Sequence, residues 1–140
     1  MGTQQILLIV LSVVLIGIAV VFAVILFGNY ASNTNRQLVV NELDFLASQA
    51  IRYWRTPVSM GGASNDIDES DQENLEFFLR WSGNSNSTDS GTYFILANAD
   101  GTIEITGTGT EIGRDGENPI EVTIHINPGS REPFTLTFVN

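Results

Sequence analysis

The hydrophobic positions of the chain form one block near its N-terminus. From Ile6 to Phe27, 22 residues carry no charge, and only Ser12 and Gly17 interrupt the apolar side chains. A helix of that length spans about 33 Å, roughly the thickness of the hydrocarbon layer of a bilayer. Exposing the block to water would cost on the order of tens of kcal/mol, more than the whole stability of a typical domain. The block is therefore predicted to be a helix that lies in lipid or against protein.

Three interpretations fit this block. A cleaved secretory signal has a basic start and a short apolar region of about 7–15 residues, whereas residues 1–5 contain no Lys or Arg and the block is longer. The second interpretation is a permanent membrane anchor. The third is a helix that first spans a membrane and later packs against copies of itself. The pattern favours the second and third and leaves both open.

A different pattern follows the block. Apolar residues recur at steps of three and four, at Val39, Leu43, Leu46, Ala50 and Tyr53. Such a stripe is typical of a helix with one buried face. No proline precedes Pro57, and the residue before a proline is disfavoured in the α region. We therefore predict one helix of about 50 residues, apolar all round in its first half and one-sided in its second.

The next segment is polar. Ser70 stands three residues ahead of Glu73, which is the spacing of a capping box, so a short helix is predicted from there to about Arg80. Residues 82–91 are low in complexity and rich in Ser, Asn and Gly. They are predicted to form a loop.

The last fifty residues have the patterns of strands: an apolar run of β-forming residues at 92–98 is followed by segments that alternate between apolar and polar positions. Four strands are predicted, at Thr92–Asn98, Thr102–Thr106, Glu121–Ile126 and Phe134–Phe138, with Gly-containing turns between them. Such strands form an antiparallel meander with one apolar face and one face rich in Thr, Glu and His. The predicted fold class is α+β: a long N-terminal helix whose amphipathic half covers a four-stranded antiparallel sheet.

Composition narrows the classes of function. The net charge is −10, the pI is near 4.2, and all six basic residues are arginines. Nucleic acid is an unsuitable partner, because binding it requires Lys and Arg to neutralise phosphates. The chain has no cysteine, which excludes disulfides and thiolate metal sites. An exterior location is expected for residues 31–140.

Catalytic chemistry has few candidates. His125 is the only histidine, and it alternates out of phase with the apolar residues of its strand. A nucleophilic triad or a zinc site would require further partners. We therefore expect no enzyme, no cofactor and no metal. Asn86-Ser87-Thr88 matches the acceptor pattern for N-linked sugars, which makes Asn86 a candidate glycosylation site.

A long helix with an apolar first half and an amphipathic second half, followed by a loop and an antiparallel sheet, resembles the type IV pilin superfamily. That group includes bacterial pilins, pseudopilins of type II secretion and archaeal pilins. The resemblance implies a structural subunit that waits in the cytoplasmic membrane and is polymerised by a pilus-type assembly machine. Residues 1–30 would then form the membrane and filament-core helix, and residues 31–140 the exterior head. Adhesion, attachment or motility are the roles implied.

The N-terminus departs from the bacterial pattern. Only Met1 precedes Gly2, the candidate site after which a leader would be cleaved, and the Glu that bacterial pilins carry near the start is missing. The Cys pair common in bacterial pilins is also missing. Archaeal-type pilins likewise lack that Glu. The alternative function is a single-span anchored protein with an exterior interaction domain, or a pseudopilin. The residues expected to build the membrane helix and filament core are Gln4, Gln5, Ile6, Leu7, Leu8, Ile9, Val10, Leu11, Val13, Val14, Leu15, Ile16, Ile18, Val20, Val21, Phe22, Val24, Ile25, Leu26 and Phe27.

Overall fold

The computed structural model describes residues 2–140 as one long helix followed by a small head built around a sheet. Helix α1 covers Gly2–Arg55, and the short helix α2 covers Gln72–Phe78, with 3₁₀ turns at Val58–Met60 and Glu69–Asp71 between them. The strands are β1 (Ser85–Ser87), β2 (Gly91–Ala97), β3 (Ile103–Ile112), β4 (Pro119–Ile126) and β5 (Phe134–Phe138). The α+β class and the single N-terminal helix ending before Pro57 are confirmed.

The sheet is an antiparallel meander in the order β1-β2-β3-β4-β5. The predicted number of four strands was wrong, because β1 lies inside the segment predicted to be a loop. All three residues of β1 are exposed, and the strand pairs with β2 from Ser85↔Phe94 to Ser87↔Thr92. A strand with no buried face has no apolar alternation by which the sequence could reveal it.

The hydrophobic core lies between the second half of α1 and the inner face of the sheet. From α1 it takes Val39, Leu43, Ala47, Ala50 and Tyr53, all buried. α1 packs chiefly on β3 and β4, while α2 packs on β2. The predicted apolar stripe is confirmed, although Leu46 is only partly buried and lies at the edge of the contact. This second half of the helix is thus anchored in the head.

Strand β3 is longer than predicted, since it continues past Thr106 to Ile112. The inward positions after Ile103 and Ile105 are glycines. A Cβ on Gly107 would lie 2.9 Å from side-chain atoms of both Tyr93 and Val39. Glycine in a strand interior often marks such a close approach of another element. The glycines therefore let α1 lie directly on the sheet.

The capping box also differs from the predicted one. Asp68, not Ser70, is the N-cap: its carboxylate accepts from the Ser70 N–H at 2.7 Å, and the Asp71 carboxylate accepts from the Asp68 N–H at 3.2 Å. Asp is as good an N-cap as Ser, and the chain enters a 3₁₀ turn before α2 begins. The side-chain and backbone hydrogen bonds from Ser70 hold the pKa of Asp68 below its usual range.

Candidate assembly surface

The N-terminal half of α1 extends away from the head with every side chain exposed. We call residues 2–30 the rod. All twenty residues predicted to form the membrane helix and filament core lie on the rod, and all are exposed. The rod is long and apolar enough to cross a membrane, with a mean hydropathy of 3.3 over its most apolar window and 0% of that window buried. It is the largest apolar surface among the described residues.

The rod offers almost no polar group to its surroundings. Backbone groups along a helix bond to one another, and the Ser12 hydroxyl donates to the carbonyl oxygen of Leu8 at 2.8 Å. The first charged side chain of the sequence, that of Arg36, belongs to the head. The rod can therefore enter lipid or a dry protein contact without burying an unsatisfied polar side chain between Ile6 and Phe27.

Three side chains of α1 fix the rod to the head where the two meet. The Ser32 hydroxyl donates to the carbonyl oxygen of Ile112 at 2.9 Å. One turn later, the Arg36 guanidinium donates to the carbonyl oxygen of Asn140 and lies over the ring of Phe138, 5.9 Å from its centroid. These contacts tie α1 to the end of β3 and to the residues after β5. The direction in which the rod leaves the head is thereby set.

Asn35 is the third of these side chains, and its amide is buried, with 6% of the residue's surface exposed. Its Nδ2 donates to the Ser90 carbonyl oxygen at 2.8 Å and to Thr110 Oγ1 at 3.2 Å. Its Oδ1 accepts from the backbone N–H groups of Thr110 and Glu111 at 3.1 and 3.3 Å. The sequence pattern did not predict that Asn35 is buried. The available signal was its spacing, four residues ahead of Val39 and in phase with the buried stripe.

A groove of about 690 Å³ opens between α1 and the segment from α2 to β1. Its walls mix apolar and polar side chains, among them Phe45, Trp81, Arg52 and Arg80. Glu42 closes one side, accepting hydrogen bonds from Thr88 Oγ1 at 2.9 Å and Ser90 Oγ at 3.0 Å. The groove is thus a second surface at which the head could receive a partner.

The candidate glycosylation site Asn86 is exposed on β1 and borders this groove. A sugar on Asn86 would project from the edge of the sheet. The structure places the acceptor where it is accessible, and attachment of a sugar stays a prediction.

His125 lies on the outer face of the sheet, as its alternation predicted. Its Nδ1 is 3.1 Å from Oε2 of Glu104, its cross-strand partner, and both side chains are partly solvated. Within residues 2–140, no three His, Cys, Asp or Glu side chains are grouped so that they could hold a metal ion. The pair is best described as a cross-strand contact on an exposed face.

Comparisons with protein families, with curated proteins and with solved structures find no match to this chain. The class of protein is therefore defined by architecture alone: an α+β chain whose long, apolar N-terminal helix packs on an antiparallel sheet through its second half. That architecture is pilin-like.

Proposed function

We propose that this protein is the structural subunit of an extracellular filament of the type IV pilus kind. The observation that carries the proposal is the rod: 22 consecutive apolar or small residues, from Ile6 to Phe27, exposed on a helix that continues into a folded head. Such a surface is unstable in water. Lipid covers it in an unassembled subunit, and the rods of other copies cover it in a filament.

The head suits the outside of such a filament. It has its own core, and its acidic residues are exposed or at most half-buried. A net charge of −10 keeps heads soluble and discourages unspecific association. In the proposed life cycle the subunit waits in the cytoplasmic membrane, a pilus-type machine transfers it to the filament, and the head faces the medium. Adhesion, surface attachment or motility are the roles that follow, without catalysis or cofactor.

A second function is favoured by the groove beside α1. A single-span protein that stays in the membrane, or a pseudopilin of a secretion system, would use an exterior groove of about 690 Å³ to bind a partner. The two proposals differ in the fate of the rod. In a filament subunit the rod leaves the membrane and packs against other rods. In an anchored protein the rod stays in the membrane.

Shearing cells that express the chain and pelleting the released material distinguishes the two. Fibres that contain this chain, visible by electron microscopy, support the filament. Recovery only from detergent-extracted membranes supports the anchor. The intact mass of the chain in each fraction tests cleavage after Gly2.

The variant Leu15→Glu makes the experiment specific for the rod. A carboxylate at mid-span costs about 2.5–3.5 kcal/mol for membrane insertion, which the many Leu, Ile and Val residues offset. In a dry bundle the same carboxylate has no partner. We expect Leu15→Glu to reach the membrane fraction but to form no fibres, while Leu15→Met forms them normally. Normal fibres from Leu15→Glu would refute a core built from the rod.

A further inference from the structure

The apolar inner face of the sheet extends beyond the helices that cover it. The side chains of Phe134, Leu136 and Phe138 stand on β5 opposite Ile126, Ile124 and Val122. Directly paired residues of an antiparallel sheet project to the same face, so the three β5 side chains belong to the inner face. Their partners on β4 are 0% exposed, whereas they are themselves 43%, 37% and 53% exposed. We call these three side chains the β5 face.

The width of a helix explains why the β5 face is open. A helix with its side chains is about 10–12 Å wide, and strands are about 4.8 Å apart, so one helix covers little more than two strands. α1 lies on β3 and β4, and α2 lies on β2. Among residues 2–140, no helix is left to cover β5.

The rod of the same molecule cannot close the gap. α1 is one unbroken helix from Gly2 to Arg55, so the rod continues in the direction of the part that already lies on β3 and β4. A straight helix cannot turn back onto β5. Any cover for the β5 face therefore comes from outside residues 2–140.

We propose that the β5 face binds the rod of a second copy of this chain. This inference rests on the proposed filament and names the surface that receives the rod. Each copy carries one apolar helix without a protein partner among residues 2–140 and one apolar strip that no helix of the same copy covers, so the helix of one copy can cover the strip of another. The rod is apolar on all sides, so it can contact the β5 face on one side and other rods on the rest.

The contact generates a filament rather than a closed dimer. The rod and the β5 face are different surfaces, so the interface is heterologous, and each copy that receives a rod still offers its own to the next. Such an arrangement continues without end unless the rotation between copies closes a ring.

The position of the β5 face along α1 limits how far two parallel copies are shifted along the helix axis when the rod of one lies on the β5 face of the other. Phe138 lies beside Arg36, nine residues beyond Phe27. A strand of five residues is about 16 Å long. Gly109 of β3 lies by Asn35 and Gly107 lies by Val39, so β3 runs towards the N-terminal end of α1. β5 runs in the same direction as β3, and the β5 face therefore extends from Phe138 towards the C-terminal end of α1. For parallel rods, a shift of about 30 Å along the axis lays residues 16–27 of one copy over the β5 face of another.

Cysteine cross-linking of assembled material tests the contact, since the chain has no cysteine of its own. One preparation carries Leu136→Cys, and each partner preparation carries a single cysteine at Val20, Val21, Phe22 or Val24. Matched controls replace Leu136→Cys by Thr135→Cys or Thr137→Cys, which stand on the same strand but project to the opposite face. Mixed fibres are oxidised and separated on a non-reducing gel.

We expect dimers between Leu136→Cys and rod positions on one side of the helix, and none with either threonine position. Fibres in which Leu136→Cys joins no rod position would overturn the inference and leave the proposed filament standing. Dimers of Leu136→Cys alone would assign the β5 face to a symmetric contact and would also overturn it. Chains that form no fibres would refute both proposals.

Discussion

Gly109 and Asn35 share one small space between β3 and α1. A Cβ on Gly109 would lie 2.2 Å from the side-chain oxygen of Asn35, far inside normal contact distance. That oxygen cannot move away freely, because it accepts hydrogen bonds from the backbone N–H groups of Thr110 and Glu111. The buried amide and the missing side chain are therefore two parts of the contact that holds α1 at the level where the rod leaves the head.

Gly109→Ala should destabilise the head. The new methyl group forces Asn35 or the helix to shift, and overpacking of this kind costs about 1–3 kcal/mol. Urea unfolding of the full chain in mild detergent, followed by the fluorescence of Trp54 and Trp81, measures the loss. In the control Gly28→Ala, the new Cβ meets nothing within 4 Å, and alanine favours a helix by about 1 kcal/mol. Stability of Gly109→Ala equal to that of the parent chain would contradict the packing described.

Asn35→Ala should be coupled to Gly109→Ala. Alone, it leaves two N–H groups on β3 and the Ser90 carbonyl without their partner, at a cost of about 1–3 kcal/mol for each group that stays dry. In the double variant the methyl group on residue 109 no longer meets an amide. The combined loss should therefore be smaller than the sum of the single losses by at least about 0.5 kcal/mol. Strictly additive losses would show that the two residues do not share the space.

The parts of this fold with a hydrophobic period could be predicted from the sequence. α1 was predictable because its apolar block and stripe are long and no proline interrupts them before Pro57. The strands β4 and β5 were predictable because each alternates between Gly- or Pro-containing turns, and β2 was predictable because it is a short apolar run of β-forming residues. The strand β1 was not, since its side chains are all exposed. Backbone pairing and a contact of 3.1 Å between the Ser87 and Thr92 hydroxyls hold it in the sheet.

The features of the candidate site required three-dimensional information. Asn35 looks like a solvated residue until β3 is placed above it, and the glycines of β3 look like a loop until α1 lies on them. The alternation of β5 showed an apolar face. That this face lies open follows only from the position of α1 across β3 and β4. By contrast, the sequence alone indicated that the rod lies in lipid or against protein, because a helix that is apolar on every side has no polar face to offer to water.

Arg80→Gly should stabilise the head. Arg80 has φ of 60° and follows Leu79, the C-cap of α2, in a Schellman arrangement. Its N–H donates to the Phe77 carbonyl oxygen at 3.0 Å, and the Trp81 N–H donates to the Glu76 carbonyl oxygen at 2.9 Å. A side chain in the left-handed region costs about 1–2 kcal/mol, which glycine avoids. Greater flexibility of glycine in the unfolded chain offsets part of this gain.

The measurement is again urea unfolding, with Arg80→Ala as the matched control. Alanine removes the guanidinium but keeps the Cβ, so its stability should stay close to that of arginine. The glycine variant should exceed both, by up to about 1 kcal/mol. Equal stabilities of the glycine and alanine variants would show that the left-handed backbone carries no strain.

Two buried tyrosines should make the head sensitive to alkali. Burial, and then the nearby carboxylate of Asp71, raises the pKa of Tyr53, whereas burial and then Glu42 raises that of Tyr93. The unfolded chain releases these protons near the ordinary value of 10.0, and the folded chain keeps them. The stabilisation is therefore complete below that pH and declines as the pH rises above it.

Tyr53→Phe and Tyr93→Phe separate the two contributions. Each variant should lose less stability than the parent chain between about pH 8 and pH 11, because it has one fewer buried group to ionise. Near neutral pH they should differ. Tyr53→Phe loses a hydrogen bond to Asp71 Oδ1 of 3.2 Å and about 1 kcal/mol. The Tyr93 hydroxyl lies near Glu42 but makes no hydrogen bond of normal geometry among residues 2–140, so its removal should cost less than that of the Tyr53 hydroxyl. If the stability of both Phe variants falls with rising pH as steeply as that of the parent chain, groups other than these tyrosines cause the loss of stability in alkali.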